Sequence, residues 1–171
     1  MKLLPGVEGE ATFSPCLDYR YLLTREWDRS KPRAVWIMLN PSTASADEDD
    51  PTVRRTQTFS LAWGFGGVVV LNLFALRSTD PKALYAHPSP IGPENDAAME
   101  AVVSESRTGI VVAAWGVHGA HLGRGDQVRD LVNAPLSVLG LTKAGHPRHP
   151  LYVAGSTAAD IWQRASERKT T

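Results

Sequence analysis

Four short apolar runs constrain this chain more than any other feature. "AVWIML" (34–39), "VVVLN" (68–72) and "IVVAAW" (110–115) are continuous and rich in β-branched and aromatic residues, and "LSVLG" (136–140) is a weaker fourth. A strand that is apolar on both sides must be covered on both faces, which is the situation of a strand inside a parallel sheet. Helical patterns lie between the runs. "DPTVRRTQTFSLAWG" offers Asp50 as N-cap, Pro51 at the first helical position and Gly64 as stop. "GPENDAAMEAVVSES" has Pro93 and Glu94 in its first turn and an apolar stripe at Ala97, Ala98, Ala101 and Val102. "DQVRDLVN" predicts a shorter helix, and "STAADIWQRASE" predicts one starting at Ser156. Strands alternating with helices predict an α/β fold: three layers, α/β/α, around a central, mainly parallel four-stranded sheet.

Upstream, "TFSPCLDYRYLLTREW" alternates and is broken by Ser14, Pro15 and Asp18, the pattern of a β-hairpin. The expected organisation is one domain over 1–171, with an N-terminal hairpin extension at 1–33 and a frayed tail at 165–171. No internal repeat or low-complexity linker interrupts it.

Charge and cysteine content narrow the function classes. Lys plus Arg and Asp plus Glu each number 18, so the formal net charge is zero. Nucleic-acid contact would therefore need a local basic patch rather than a global field. The single cysteine, Cys16, excludes an intramolecular disulfide framework and a Cys-ligated iron–sulfur cluster. The start, "MKLLPGVEGEA", is broken by Pro5 and Gly6 and does not read as a signal peptide. The longest apolar stretch, near "GGVVVLNLFAL", is too short for a bilayer. A cytoplasmic monomer without membrane contact is expected, with protein partners left open.

In a parallel α/β sheet, chemistry collects at the carboxyl ends of the strands. After the first run come Asn40, Pro41, Ser42 and Thr43. The second ends in Asn72. After the third come Trp115, Gly116 and His118. After the fourth comes "KAGHPRHPLY" (143–152), with two histidines and two prolines. Asn40 and Asn72 are residue types that also form turns; two of them, with paired histidines at a third exit, point to a shared pocket.

These motifs carry two resemblances. "MLNPSTASADEDDPTVRR", "WGFGGVVVLNLFALRSTDP", "GPENDAA", "AAWG" and "GHPRHPLY" resemble an uncharacterised domain family of bacteria and phages, over about Tyr19 to Tyr152. More distantly, their order is similar to that of the uracil-DNA glycosylase superfamily. "MLNPS" resembles its first-strand motif of the form G-x-N-P or G-Q-D-P, which implies that Asn40 positions the attacking water. "VVVLN" resembles its second strand, which implies that Asn72 reads the base edge. "AAWG" resembles the "LWG" that often ends its third strand. "RHPLY" resembles its final H-P-S-P-L motif, which implies that His149 stabilises the leaving base and that Leu151 wedges into DNA. Two departures stand out: Met38 and Leu39 replace the usual glycine, and the final motif lacks Ser-Pro after His-Pro. "HPSP" itself occurs at His87 to Pro90, before a helix pattern, and is read as a loop.

The resemblance implies a nucleobase-recognising enzyme of the DNA glycosylase type. It would hydrolyse an N-glycosidic bond to a pyrimidine, or a modified pyrimidine, in DNA, without cofactor or metal. Asn40 and His149 would be catalytic. Pro41, Ser42, Asn72, His146, Arg148, Leu151 and Tyr152 would contact base or substrate, with Tyr152 sharing with Leu151 the filling of the gap left by a flipped base. For His146, a turn or capping role is an equal reading. An amide can orient water but is no general base, so Asn40 implies slow chemistry or a good leaving group.

Further candidates stay double. "DEDDPTVRR" (47–55) is either a solvated acidic helix start, a place where Asp49 or Asp50 holds Arg54, part of the water site, or a metal site. Arg55 follows on the same helix. His118 and His121 either share a ligand or form a polar helix face. "HLGRGDQVR" offers Arg124 to a phosphate. Arg20, Arg25, Arg54, Arg55, Arg124 and Arg148 would line a DNA groove or pair on the surface, while Trp27, Trp36, Trp63 and Trp115 read as core. Two other functions fit the same residues: a non-catalytic DNA- or nucleotide-binding module, and a metal-dependent hydrolase or transferase acting on free nucleotides.

Overall fold

A computed structural model describes residues 1–163. In chain order the elements are β1 (Glu8–Phe13), β2 (Arg20–Glu26), β3 (Arg33–Met38), α1 (Pro51–Ala62), β4 (Gly67–Asn72), α2 (Lys82–Ala86), α3 (Asn95–Val103), β5 (Thr108–Ala113), α4 (Arg124–Leu131), β6 (Leu136–Val138) and β7 (Asp160–Ile161). Two 3-10 segments, Val117–Gly123 and Pro150–Tyr152, complete the description. The fold is α/β.

The sheet differs from the expected four strands. It has seven, in the order β1-β2-β4-β3-β5-β6-β7, and it is mixed. β4, β3, β5 and β6 run parallel to one another. The hairpin is no extension: β2 pairs antiparallel with β4 at Leu23↔Val70 through Glu26↔Gly67. The reason lies in β4, whose six residues are all buried. Left as an edge, it would expose a row of unpaired backbone groups on a strand buried along its whole length, and β2 closes it.

The other edge is closed in the same way. The helix expected from Ser156 is not formed among the described residues. Instead Asp160 and Ile161 pair antiparallel with Val138 and Ser137 of β6. Trp162 then packs edge-on against Trp115, at 5.7 Å between ring centroids. Pairing of a free edge outweighs the local helix pattern. The rest of that expected helix, and the tail at 165–171, lie outside the described residues.

β3 and β4 carry apolar side chains to both faces, and each face has its own core. On one side Trp36 stacks on Trp63 at 5.5 Å and packs with Phe59, both from the α1 segment. Its indole N–H donates to Ser60 Oγ at 2.9 Å, so the buried ring leaves no orphan donor. On the other side Val35, Ile37 and Leu71 pack with Leu84 of α2, Met99 and Val102 of α3 and Val128 of α4. Helices therefore cover both faces. α1 begins as its sequence predicts, with Asp50 Oδ1 accepting from the Val53 N–H at 2.8 Å and Pro51 following. It ends before Gly64, whose φ of +85° suits only glycine comfortably. No helix among the described residues is long and apolar enough to cross a membrane.

Candidate functional site

β3 has β4 on one side and β5 on the other. The chain goes from β3 through α1 to β4 and later returns to the opposite side of β3. At such a switch the connections leave in opposite directions, and a crevice opens beyond the carboxyl ends of the strands. A cavity of about 510 Å³ lies there, within the usual range of small-ligand sites. Met38, Leu39, Asn40 and Ser42 line it after β3, Val70 and Asn72 from β4, and Trp115 and Gly116 after β5. Thr142, Arg148, His149 and Tyr152 line it after β6.

Asn72 is 2% exposed. Its backbone carbonyl accepts from Asn95 Nδ2 at 2.9 Å, but its own side-chain Oδ1 is buried with no donor. Leaving such a group unpaired costs about 1–3 kcal/mol, a cost that an N–H or O–H from a bound ligand would remove. Asn40 is the opposite case. Its Nδ2 donates to Ser78 O at 2.9 Å and to Pro41 O at 3.1 Å. The amide is thereby fixed, and its remaining polar atom, Oδ1, can only accept.

His149 sits at the start of the Pro150–Tyr152 turn. Its Nδ1 accepts from the Leu151 N–H at 3.3 Å, which leaves the proton of the neutral ring on Nε2. Burial pushes its pKa below the usual histidine value, against the pull of Asp50. The ring is thus a neutral Nε2–H donor at the cavity wall. Contacts from α1 and from the exit of β5 help to hold this loop. Arg55 on α1 donates from Nη2 to Val153 O at 2.7 Å and from Nε to Pro150 O at 3.3 Å. The Gly116 N–H donates to Pro147 O at 2.9 Å, tying the exit of β5 to the exit of β6. The two prolines fix φ where a flexible loop would have to be ordered on binding.

The acidic segment separates by residue. Asp47 and Glu48 are exposed, as a solvated helix start would be, while Asp49 and Asp50 are buried. Asp49 does not reach the cavity. It accepts from Arg25 Nε at 2.7 Å, from Gln57 Nε2 at 3.0 Å and from Arg54 Nε. Burial alone would raise its pKa, but the hydrogen bonds from Gln57, Arg25 and Arg54 outweigh it and hold the carboxyl below its ordinary value. Asp50 caps α1 and lines the cavity. Among the described residues, no three His, Cys, Asp or Glu side chains converge as a metal site would require.

Several expected site residues lie elsewhere. His146 lines a different cavity with Trp115 and Trp162, because residues 142–146 fold back as a tight turn, with Thr142 N donating to His146 O at 2.8 Å. Pro41 is buried behind the wall, where its carbonyl serves Ser78 and Asn40. Leu151 is 43% exposed and outside the cavity lining. His118 lines the mouth and meets the Tyr85 hydroxyl at 2.9 Å. His121 meets Leu84 O and is outside the cavity lining, while both histidine rings pack against Tyr85. Arg124 is buried, donating to Leu73 O at 2.9 Å and pairing with Asp96, which leaves nothing for a phosphate. Of the six arginines expected in a groove, Arg20 and Arg148 line the cavity, while Arg54 and Arg55 are spent on Asp49 and on the His149 loop.

Sequence reasoning passed over Thr52 and Val53 at the start of α1, and Ser78, Thr79 and Pro81 in the loop after β4. "RSTDP" directly follows a strand exit, and that position alone was the available signal.

No curated protein and no solved structure matches the chain. One family does, over residues 20–151, a span that runs from β2 into the Pro150–Tyr152 turn and takes in the cavity lining except Tyr152. The chain belongs to that family, described as protein of unknown function (DUF1643).

Proposed function

We propose that this protein recognises a nucleobase and hydrolyses its N-glycosidic bond, in the manner of a DNA glycosylase acting on a pyrimidine or modified pyrimidine. The observation that carries the reading is the buried, unpartnered Asn72 Oδ1 in a cavity that also holds a neutral imidazole donor and a fixed amide acceptor. An amide offers one acceptor and two donors, which suits the edge of a pyrimidine.

Each residue then has a step. Asn40 Oδ1 accepts from a water and orients its lone pair towards C1′. The C1′–N bond breaks with its electron pair leaving on the ring nitrogen, and the water oxygen bonds to C1′. One water proton stays on the new sugar hydroxyl, and the other ends on the base. His149 Nε2–H donates to the base oxygen on which charge develops, a contribution typically worth about 2.7–4 kcal/mol. Such a reaction needs no strong base when the sugar already has oxocarbenium character, which is consistent with an amide in the water position.

The experiment is a screen of oligonucleotides carrying modified pyrimidines, with free nucleosides alongside, in the presence and absence of EDTA. Metal-independent base release from at least one oligonucleotide is expected. Asn72→Asp should change which base is released, because an acceptor replaces the amide donor. Tight binding without release would leave a binding module, and release abolished by EDTA would favour a metal-dependent enzyme.

A further inference from the structure

Arg20 begins β2 beside the end of β4, where its backbone N–H donates to Ala75 O at 2.9 Å. It is 2% exposed and lines the same cavity as Asn72 and His149. Its guanidinium donates from Nη1 to Ala44 O at 2.8 Å. Its Nε is buried without an acceptor, and among the described residues it joins no ion pair. The contrast is Arg25 on the same strand, whose charge is met by Asp49. Burial lowers the pKa of Arg20 to about 10, with Asp50 opposing, so the group is still a cation at neutral pH. Asp50, at the start of α1, is the carboxylate set against it, while Arg25 on β2 and Arg77 after β4 add like charge. A buried cation that Asp50 only partly offsets, with no ion-pair contact, is expensive in a wall that serves packing alone. It is useful where a negative charge arrives from outside.

We infer that the cavity takes an anion: the deprotonated form of a planar, base-like ring that keeps one N–H, with the charge against Arg20 and the N–H against Asn72 Oδ1. This rests on the proposed base recognition and adds the charge state of the species bound. In the hydrolysis, the electron pair of the breaking C1′–N bond spreads onto the ring oxygens, and a planar guanidinium matches such oxygens in geometry as well as charge. Arg20 would thus hold the departing base before it takes up its proton.

The test uses free pyrimidines of graded N–H acidity: uracil, 5-fluorouracil and 5-nitrouracil. Calorimetric titration of the whole protein from mildly acidic to mildly alkaline pH measures their affinities. The most acidic ring should bind tightest, and each should gain affinity as pH rises through its own pKa. Arg20→Met should weaken anion binding about 10- to 100-fold, the size of one charge-assisted hydrogen bond. Arg20→Lys should keep the acidity trend at lower affinity. Affinity in the wild type that ignores ring acidity would overturn the inference, and so would failure of every ring to bind. That comparison decides even if Arg20→Met does not fold. Inorganic phosphate serves as competitor: if it displaces the rings and they show no acidity trend, the charge belongs to a phosphate and the base-anion assignment fails. Turnover is not needed, so an oligonucleotide screen without base release would retire the hydrolase reading and leave ring binding to be judged alone.

Discussion

Asp49→Ala should be among the most damaging single substitutions in this protein, although Asp49 touches no ligand space. The side chains of Asp49 and Arg25 are both fully buried, with Nε and Oδ1 2.7 Å apart. Removing the carboxylate leaves the Arg25 cation inside, still hydrogen-bonded to the carbonyls of Thr24, Ser45 and Glu48 but with no countercharge. Breaking a buried pair in this way costs about 3–5 kcal/mol. Arg54, whose side chain is 28% exposed, can turn to solvent and adds at most about 1 kcal/mol. For a chain of this length such a loss lowers Tm by roughly 6–20 °C. The assay is urea unfolding of wild type, Asp49→Ala and Asp49→Ala/Arg25→Met. The double variant should recover much of the loss, because it removes the stranded charge. The pH dependence has a definite sign. Asp49 has a depressed pKa when folded, so its contribution is complete above the unfolded value of about 3.9. It disappears as pH falls through the folded value, and the gap between wild type and Asp49→Ala must close in acid. A gap below about 1 kcal/mol at neutral pH, or one that persists in strong acid, would refute the reasoning.

His149→Ala and Asn40→Ala should each cut base release by about 10²–10³ while leaving Tm within a few degrees; the loss should grow with poorer leaving bases for His149→Ala and be uniform across bases for Asn40→Ala. Unfolded His149→Ala protein would make the histidine a core residue instead. Arg55→Ala strips the donors from Pro150 O and Val153 O, so limited trypsin digestion should cut after Arg148 faster than in wild type, with unchanged cutting elsewhere. Burial lowers the folded pKa of His149. Between the unfolded value of about 6.5 and the folded value, the unfolded chain binds more protons, so stability falls on acidification across that window. His149→Gln should flatten that slope in pH-dependent melting curves.

The parallel strands were legible because burial on both faces leaves a mark that needs no partner to read: three or more consecutive β-branched or aromatic residues, as at Val68 to Val70. The N-cap of α1 was legible for a similar reason, since Asp50, Pro51 and the stop at Gly64 act within their own segment. Strand exits follow from the strands, and so Asn40, Asn72 and His149 could be set at one edge before any coordinates. What escaped were pairings between distant segments. Nothing in "DIW" announces that it will close the edge of β6, because its local pattern is helical and the competing interaction is 20-odd residues away. For His146 the turn reading and the site reading stand level, because two histidines three residues apart look alike in sequence; the turn at Gly145 sends His146 to the Trp162 side and His149 into the cavity.

Arg20 joins these two kinds of information. In sequence it is one charge in a hairpin strand, indistinguishable from an exposed arginine such as Arg29 nearby. Its place at the cavity depends on β2 pairing with β4, and β2 pairs there because β4 cannot remain an edge. The same requirement that closes the sheet therefore delivers a cation to the site formed by the parallel strands. Arg25, five residues on, enters the interior through the same pairing but is ion-paired with Asp49, whereas Arg20 bonds a carbonyl and faces the cavity, with Asp50 acting on its charge without an ion-pair contact. Asp50 is the carboxylate that pulls on Arg20, and it lines the same cavity. Asp50→Asn keeps a side-chain oxygen for the Val53 N–H and removes that countercharge, so calorimetric titration should show tighter anion binding although Arg20, Asn72 and His149 are all unchanged. Unchanged or weaker binding in a folded Asp50→Asn protein would mean that the charge of Arg20 is not what holds the anion.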